Sequence, residues 1–295
     1  RGQHSMKTTW LFLLILLSSS LNAAPESALD KRVAYNDRDK YRVAKAAHDG
    51  AGEIHIYKMF NTNAFVSKMR FLHAAVLPPK GGIGHHFHHK MEEVYVILDN
   101  EAEFTVNGRT SLLKGPVAVP CKMGQAHAIY NPSDKPTRFL NFAVSTVKDQ
   151  YDAFNLGDDR VGVQIDPIPV FVSAPFDRNN LATIDAFQGG TGSVLYSCRL
   201  PSTVFSTNWN YADQVVIPAG SSIGPHKLKH IEELYYVMNG RGTVKVGDDS
   251  RAIRAGEAIP IAPQEMRSFS ADGGEELELF VVGVALEGRK KIRKR

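Results

Sequence analysis

Apolar and polar residues alternate in short runs along most of this chain, and the runs close on Gly, Pro or Asn. RFLHAAVLPP and QVVIPAG are β runs ended by Pro and Gly. EVYVILDN and ELYYVMNG are rich in Val, Ile and Tyr, while EFTVNGR and TVKVGDD alternate and stop at hairpin dipeptides. PVAVP, AIPIAP, RFLNFAV and LELFVVG continue the series. Many short strands at even spacing predict an all-β fold, a sandwich or closed barrel. No amphipathic helical period interrupts either half.

The pattern occurs twice. Residue n matches residue n+140 without a gap: Gly52 with Gly192, Phe65 with Phe205, Pro78 with Pro218, Ile83-Gly84 with Ile223-Gly224, His86 with His226, Glu92-Glu93 with Glu232-Glu233, Tyr95 with Tyr235, Val106 with Val246 and Pro120 with Pro260. A period this long marks a duplicated domain rather than a solenoid unit. The chain divides into an arm at residues 24–50, a first barrel at 51–147, an irregular linker at 148–187, a second barrel at 188–286 and a basic tail at 287–295. The linker is expected to hold one edge strand and a short helix, and the arm to pack on a barrel.

Ahead of the arm, residues 6–23 read MKTTWLFLLILLSSSLNA. Lys7, an apolar run from Trp10 to Leu17 and small residues up to Ala23 have the form of a secretory signal peptide, spanning 1–23 with the few residues before Met6. The run is well short of the roughly 20 residues a membrane helix needs. A secreted or periplasmic protein is therefore expected, with an uncleaved anchor as the alternative. Hydrophobic residues at 43% and charged ones at 22% suit a soluble globular body. The net charge of +4 is concentrated at the ends, since Arg289 to Arg295 hold six cations and the leader region two more. The rest is mildly acidic, which argues against nucleic acid as a partner. The two cysteines, Cys121 and Cys198, occupy non-equivalent positions in different halves and read as unpaired thiols.

The segment GGIGHHFHHKMEEVYVILDN holds His86-x-His88. Along a strand, residues i and i+2 point to one face, so both imidazoles can grip one ion. Glu93 enters the next strand after a short turn, and His127 in MGQAHAIYN supplies a fourth donor from across the wall. Three imidazoles and one carboxylate suit Mn, Fe, Co, Ni, Cu or Zn and leave positions open for a substrate. One divalent transition metal per chain is expected. The tighter-turn alternative makes Glu92 the ligand. His85 and His89 fall on the opposite face and read as surface or supporting groups. His73 reads as a hydrogen-bonded core histidine, with support of the metal ligands as the alternative. Tyr95 and Ile97 share the alternation of Glu93 and are expected to line a pocket, with Cys121 beside them.

The His-x-His, Glu and Gly124-x-x-His127-x-x-x-Asn131 series resembles the motifs of the cupin superfamily, and the duplication resembles its bicupins. The resemblance covers both halves and implies two tandem double-stranded β-helix (jelly-roll) barrels, with His86, His88, Glu93 and His127 as metal ligands. Two departures stand out. Asn100 occupies a position where the family has Gly, and Pro120 to His127 is two residues longer than the family motif.

The second half keeps His226 and Glu233, but Leu228 replaces the second histidine and Arg267 the last ligand. A guanidinium cannot ligate a cation. A salt bridge of Arg267 with Glu233 is expected where the metal would sit. A minority alternative recruits His230 as a ligand, and another makes Arg267 an anion site.

The favoured function is a metal-dependent dioxygenase-type oxidoreductase acting on a small organic substrate, with Glu93 as general base. Its plan resembles the fungal flavonol dioxygenases in architecture. The alternatives are a lyase, as in oxalate-decarboxylating bicupins, a sugar isomerase, or a non-catalytic metal- or small-molecule-binding protein. A homodimer is one possible assembly, although two fused barrels can also satisfy within one chain what single cupins obtain by pairing.

Overall fold

A computed structural model describes residues 27–271 and 273–286. The expected leader and the basic tail lie outside these residues. The first half folds as two facing β-sheets, and in the second the long strand Ile231–Val246 runs through both and joins them as one ten-stranded sheet. In the first half a large sheet runs in the order Val117–Cys121, Met91–Ile97, Thr137–Ser145, Met69–Leu77, Glu53–Asn61 and Arg42–Lys45. A smaller sheet facing it contains Gly82–Phe87, His127–Tyr130, Glu101–Val106 and Arg109–Lys114. Among the described residues only single turns of 3-10 helix interrupt the strands. These are two tandem jelly-roll barrels, as the cupin resemblance implies. No helix among the described residues is long and apolar enough to cross a membrane.

The large sheets are buried on both faces, which is why MEEVYVI reads as a nearly continuous apolar run. Ile97, Phe104, Val119, Ile129 and Phe139 fill the first barrel. The opposite face of the same strands, with Val94, Val96, Leu140 and Phe142, packs against Trp209, Leu234, Phe280 and Val282 of the second barrel. Strand alternation therefore assigns one set of side chains to the barrel interior and the other to a core between barrels.

Two reciprocal exchanges reinforce that interface. Ala34–Tyr35 pairs with Ala258 and Glu257 of the second barrel, while Ala174–Pro175 pairs with Ala118 and Val117 of the first. The partners stand 140 residues apart in each case, so the repeat extends back through the arm and the linker. The Glu92 carboxylate, fully buried, accepts from the N–H groups of Ser206 and Thr207 and from the Thr207 hydroxyl. Glu232 returns the contact to the N–H groups of Val66 and Ser67. Glu92 is thus an inter-barrel clasp, and the reading of it as a metal ligand is corrected.

The expected linker is more ordered than its composition suggests. Phe154–Asn155 pairs with Phe87 and His86 at the edge of the small sheet, and Ala182–Asp185 joins the second barrel. The expected short helix is the single 3-10 turn Arg178–Asn180. Both family departures have a local cause. Asn100 adopts φ +51°, a left-handed conformation that Asn tolerates, and its amide donates to Ser133, Lys135 and Thr137. The longer loop before His127 brings the Gly124 N–H to the His88 carbonyl at 2.7 Å.

Candidate metal centre

His86 ends the strand Gly82–Phe87, His88 follows it, Glu93 lies on Met91–Ile97 and His127 opens His127–Tyr130. Antiparallel pairing sets His127 opposite His86. One ligand atom from each of the four side chains falls within 4.8 Å of the others, and all four residues are buried.

The main chain determines which nitrogen faces inward. The Nδ1 atoms of His86, His88 and His127 meet the carbonyl oxygens of Gly84 (2.8 Å), Asp152 and Gln125 (3.1 Å). A carbonyl only accepts, so each Nδ1 carries a proton, and in the neutral ring each Nε2 presents a lone pair to the centre. The Nε2 of His127 stands 3.0 Å and that of His88 3.5 Å from Glu93 Oε2. His88 Nε2 is buried without a hydrogen-bond partner. Lone pairs aimed at a carboxylate in a buried space call for a cation between them, and a divalent metal fits. Asn141 steadies Glu93, donating to its other oxygen at 3.1 Å.

In the metal-free site the charges are coupled: burial lowers His88, but Glu93 and Asp152 outweigh it and raise this imidazole above its ordinary value. Burial pushes His86 down to about 2, with His127 and His48 adding to it, which keeps the imidazole neutral and able to ligate. Burial raises the Glu93 carboxyl, but His127 and His88 outweigh it and hold Glu93 well below the carboxylate range.

The other predicted residues fall as follows. His85 points away and meets Asp158 at 3.0 Å, and His89 is exposed beside Phe154. Tyr95 lines a cavity of about 630 Å3 that opens onto His86 and Glu93. Ile97 and Cys121 do not line it, which corrects their assignment to the pocket. Ile97 lies a further pleat down the barrel, and Cys121 packs into the barrel core. His73 is corrected too: it lines the cavity, stacked on Phe71 at 3.9 Å, with no hydrogen bond among the described residues. Cys121 and Cys198 are not joined to each other.

Sequence reasoning missed several contributors. His48, from the arm, stacks on His86 at 3.8 Å and is held through Nδ1 by Asn155 at 2.8 Å. Tyr151, from the linker, and Arg70 and Lys58, from the large sheet, line the cavity. None carries a periodic or motif signal, since each belongs to a segment that reaches the site only by long-range packing.

The second barrel is plugged. Arg267, fully buried, donates through Nη2 to Glu233 and through Nη1 to the Glu265 carbonyl at 3.2 Å. These mirror the two contacts of His127, to Glu93 and to the Gln125 carbonyl. The hydroxyls of Tyr211 and Tyr235 also donate to Glu233. Burial raises the Glu233 carboxyl, but Arg267 and these hydroxyls outweigh it and hold it below its usual value. His226 keeps the Nδ1 contact to the Gly224 carbonyl at 2.9 Å, Leu228 offers no donor, and His230 is exposed. The alternatives of His230 as ligand and of Arg267 as a free anion site are therefore corrected: His230 points to solvent and Arg267 is already paired.

Comparison with known proteins agrees with this architecture. A family model described as a cupin domain matches twice, at residues 74–143 and 213–283. The chain is 30% identical over 91 residues to an oxalate-binding protein of Thermotoga maritima, covering 31% of this chain and 75% of that one. Oxalate decarboxylase from Lactobacillus farciminis superposes with a TM-score of 0.59 at 16% identity, over 87% of this chain and 86% of the other. Salicylate 1,2-dioxygenase from Pseudoaminobacter salicylatoxidans gives 0.57 at 14% identity, over 75% and 70%. At these identities the structures speak for the shared fold. The chain belongs to the cupin superfamily, as a bicupin with a buried His-His-Glu-His centre in its first barrel.

Proposed function

We propose that this protein is a metal-dependent oxidoreductase of the dioxygenase type, with one metal per chain held by His86, His88, Glu93 and His127. The observation that carries the reading is the convergence of three imidazole Nε2 atoms and one carboxylate on a point beside a cavity of about 630 Å3. Closed structural sites satisfy the ion entirely and have no such cavity. The size suits a small organic molecule. A bound divalent transition metal supplies Lewis acidity and, for redox-active ions, a route to dioxygen.

The chain's own groups supply the rest. The ring of Tyr95 and the side chains of Ile54, Ile56 and Ile83 form an apolar wall that excludes water from the substrate. Glu93, held at Oε1 by Asn141, keeps Oε2 for the centre and is placed to take a substrate proton. Export belongs to the same proposal and rests on the sequence of residues 6–23 alone.

A second reading, a metal-dependent decarboxylase, is favoured by the relative named for oxalate binding and by the fold shared with oxalate decarboxylase. Elemental analysis of the purified protein, with oxygen uptake on a panel of catechols and flavonols, tests the proposal. About one metal per chain and substrate-dependent oxygen uptake are expected. Carbon dioxide release from oxalate without oxygen uptake favours the second reading, and a protein with bound metal but neither activity favours a binding role.

A further inference from the structure

The cavity beside the metal centre carries more positive charge than the fold requires. Among the described residues Glu93 is the only acid that lines it, and Arg70 and Lys58 line it as well. A divalent ion with three neutral imidazoles and one carboxylate is itself net positive, so the whole pocket favours an anion. Arg70 makes no hydrogen bond or ion pair among the described residues, and its Nε is buried without a partner. An unpaired guanidinium with a buried donor is costly to keep and calls for a ligand that satisfies it.

The backbone shows why Arg70 faces the cavity. Pairing of the strands Thr137–Ser145 and Met69–Leu77 sets Ala143 opposite Phe71 and Val144 opposite Met69, which leaves Arg70 as the extra residue of a β-bulge. Bulges re-aim side chains beside sites. The second barrel has the same shift, with Tyr211 opposite Gly283 and Trp209 opposite Val284, and there the extra residue is Asn210. Lys58 corresponds in the same way to Cys198. The bulge therefore belongs to the fold, while the two cations belong to the first-barrel site.

We infer that Arg70 is the carboxylate anchor of the substrate pocket, so that the substrate class is a small organic acid. The inference rests on the first-barrel cavity being a substrate site. Arg70 pairs with the carboxylate through its planar donors, which match that group's geometry better than a lysine does. The remainder of the acid lies against Phe71, Tyr151 and Ile83, facing the metal ligands. Lys58, exposed at the edge of the cavity, adds attraction but no fixed geometry.

Benzoate and benzamide share shape and differ in charge, so they serve as probes by titration calorimetry on the full chain, metal-loaded and metal-free. Benzoate is expected to bind wild type at least about tenfold more tightly than benzamide. Arg70→Gln is expected to weaken benzoate binding by about tenfold or more with metal content unchanged, and Lys58→Gln by about two- to threefold. Arg70→Asn installs the residue that the second barrel carries at this bulge and guards against a folding artefact. Equal binding of the two probes, no benzoate binding, or full benzoate affinity in Arg70→Gln and Arg70→Asn overturns the assignment. The metal arm separates the two claims. A wild type that takes up no metal sinks the enzymatic reading but leaves the anchor standing if benzoate still depends on Arg70. A metal-loaded protein that consumes oxygen with neutral catechols yet ignores benzoate sinks only the anchor.

Discussion

The main-chain carbonyl of Asp152 receives the Nδ1 hydrogen bond of His88, a contact across 64 residues of sequence. The carboxylate of Asp152 accepts in turn from the N–H groups of His89 (2.8 Å) and Lys90 (3.1 Å). A segment outside the barrel's own strands thus sets the tautomer of a metal ligand and is pinned to the turn that carries it. Metal binding and the docking of residues 150–155 are linked by this contact.

Asp152→Ala keeps the carbonyl but removes the pin. Metal affinity should fall by about tenfold, within the range for supporting contacts around ligating histidines. Competition with a chromogenic chelator measures it, and limited proteolysis should cut near residues 150–160 faster in the variant. Unchanged affinity together with an unchanged cleavage rate would show that the segment is a bystander.

His88→Ala should abolish high-affinity metal binding, whereas Arg267→Ala should leave metal content alone. Arg267→Ala should instead destabilise the protein by about 3–5 kcal/mol, because it strands the buried Glu233 carboxylate. Elemental analysis and urea unfolding read the two effects. Equal metal loss in both variants contradicts the division of labour between the barrels.

Acid should weaken the metal-free fold through His73. Burial pushes this imidazole down to about 4, with Lys58 and Arg70 acting in the same direction against Glu93. The unfolded chain binds that proton near 6.5, so between pH 6.5 and 4 it holds more protons than the folded one. The His73 contribution is complete above pH 6.5 and is lost as pH falls through this window, by at most about 3 kcal/mol. His73→Gln should show a smaller loss of urea stability between pH 7 and pH 5 than wild type. Parallel pH curves would remove His73 from the account.

Glu92→Ala leaves the N–H groups of Ser206 and Thr207 and the Thr207 hydroxyl without their acceptor at the core between barrels. A loss of about 2–4 kcal/mol is expected, with a smaller one for Glu232→Ala, which strands two donors. Stability within about 0.5 kcal/mol of wild type would mean that the apolar core alone joins the barrels.

Much of the site could be read before folding was considered, because its rules are local. Alternation places His86 and His88 on one face, whereas of the two adjacent glutamates the spacing favours Glu93 but leaves Glu92 open, and the fold turns Glu92 away. Comparison of the two copies marked Leu228 and Arg267 as losses. Alternation gives the face but not the depth, so Ile97 and Cys121 were expected in a pocket they do not line. His73 was expected to be bonded, and is not.

The chain's own order of residues determined the duplicated β fold, the four donors of the first barrel and the cation that replaces one of them in the second. Tertiary structure alone decided what surrounds those donors: His48 against His86, Asp152 behind His88, Arg70 turned inward by a bulge and Glu92 turned towards the other barrel. The reason is one of range. A period of two is written into neighbouring residues, whereas a contact between segments distant in sequence leaves no periodic trace and exists only once both have packed against the same barrel.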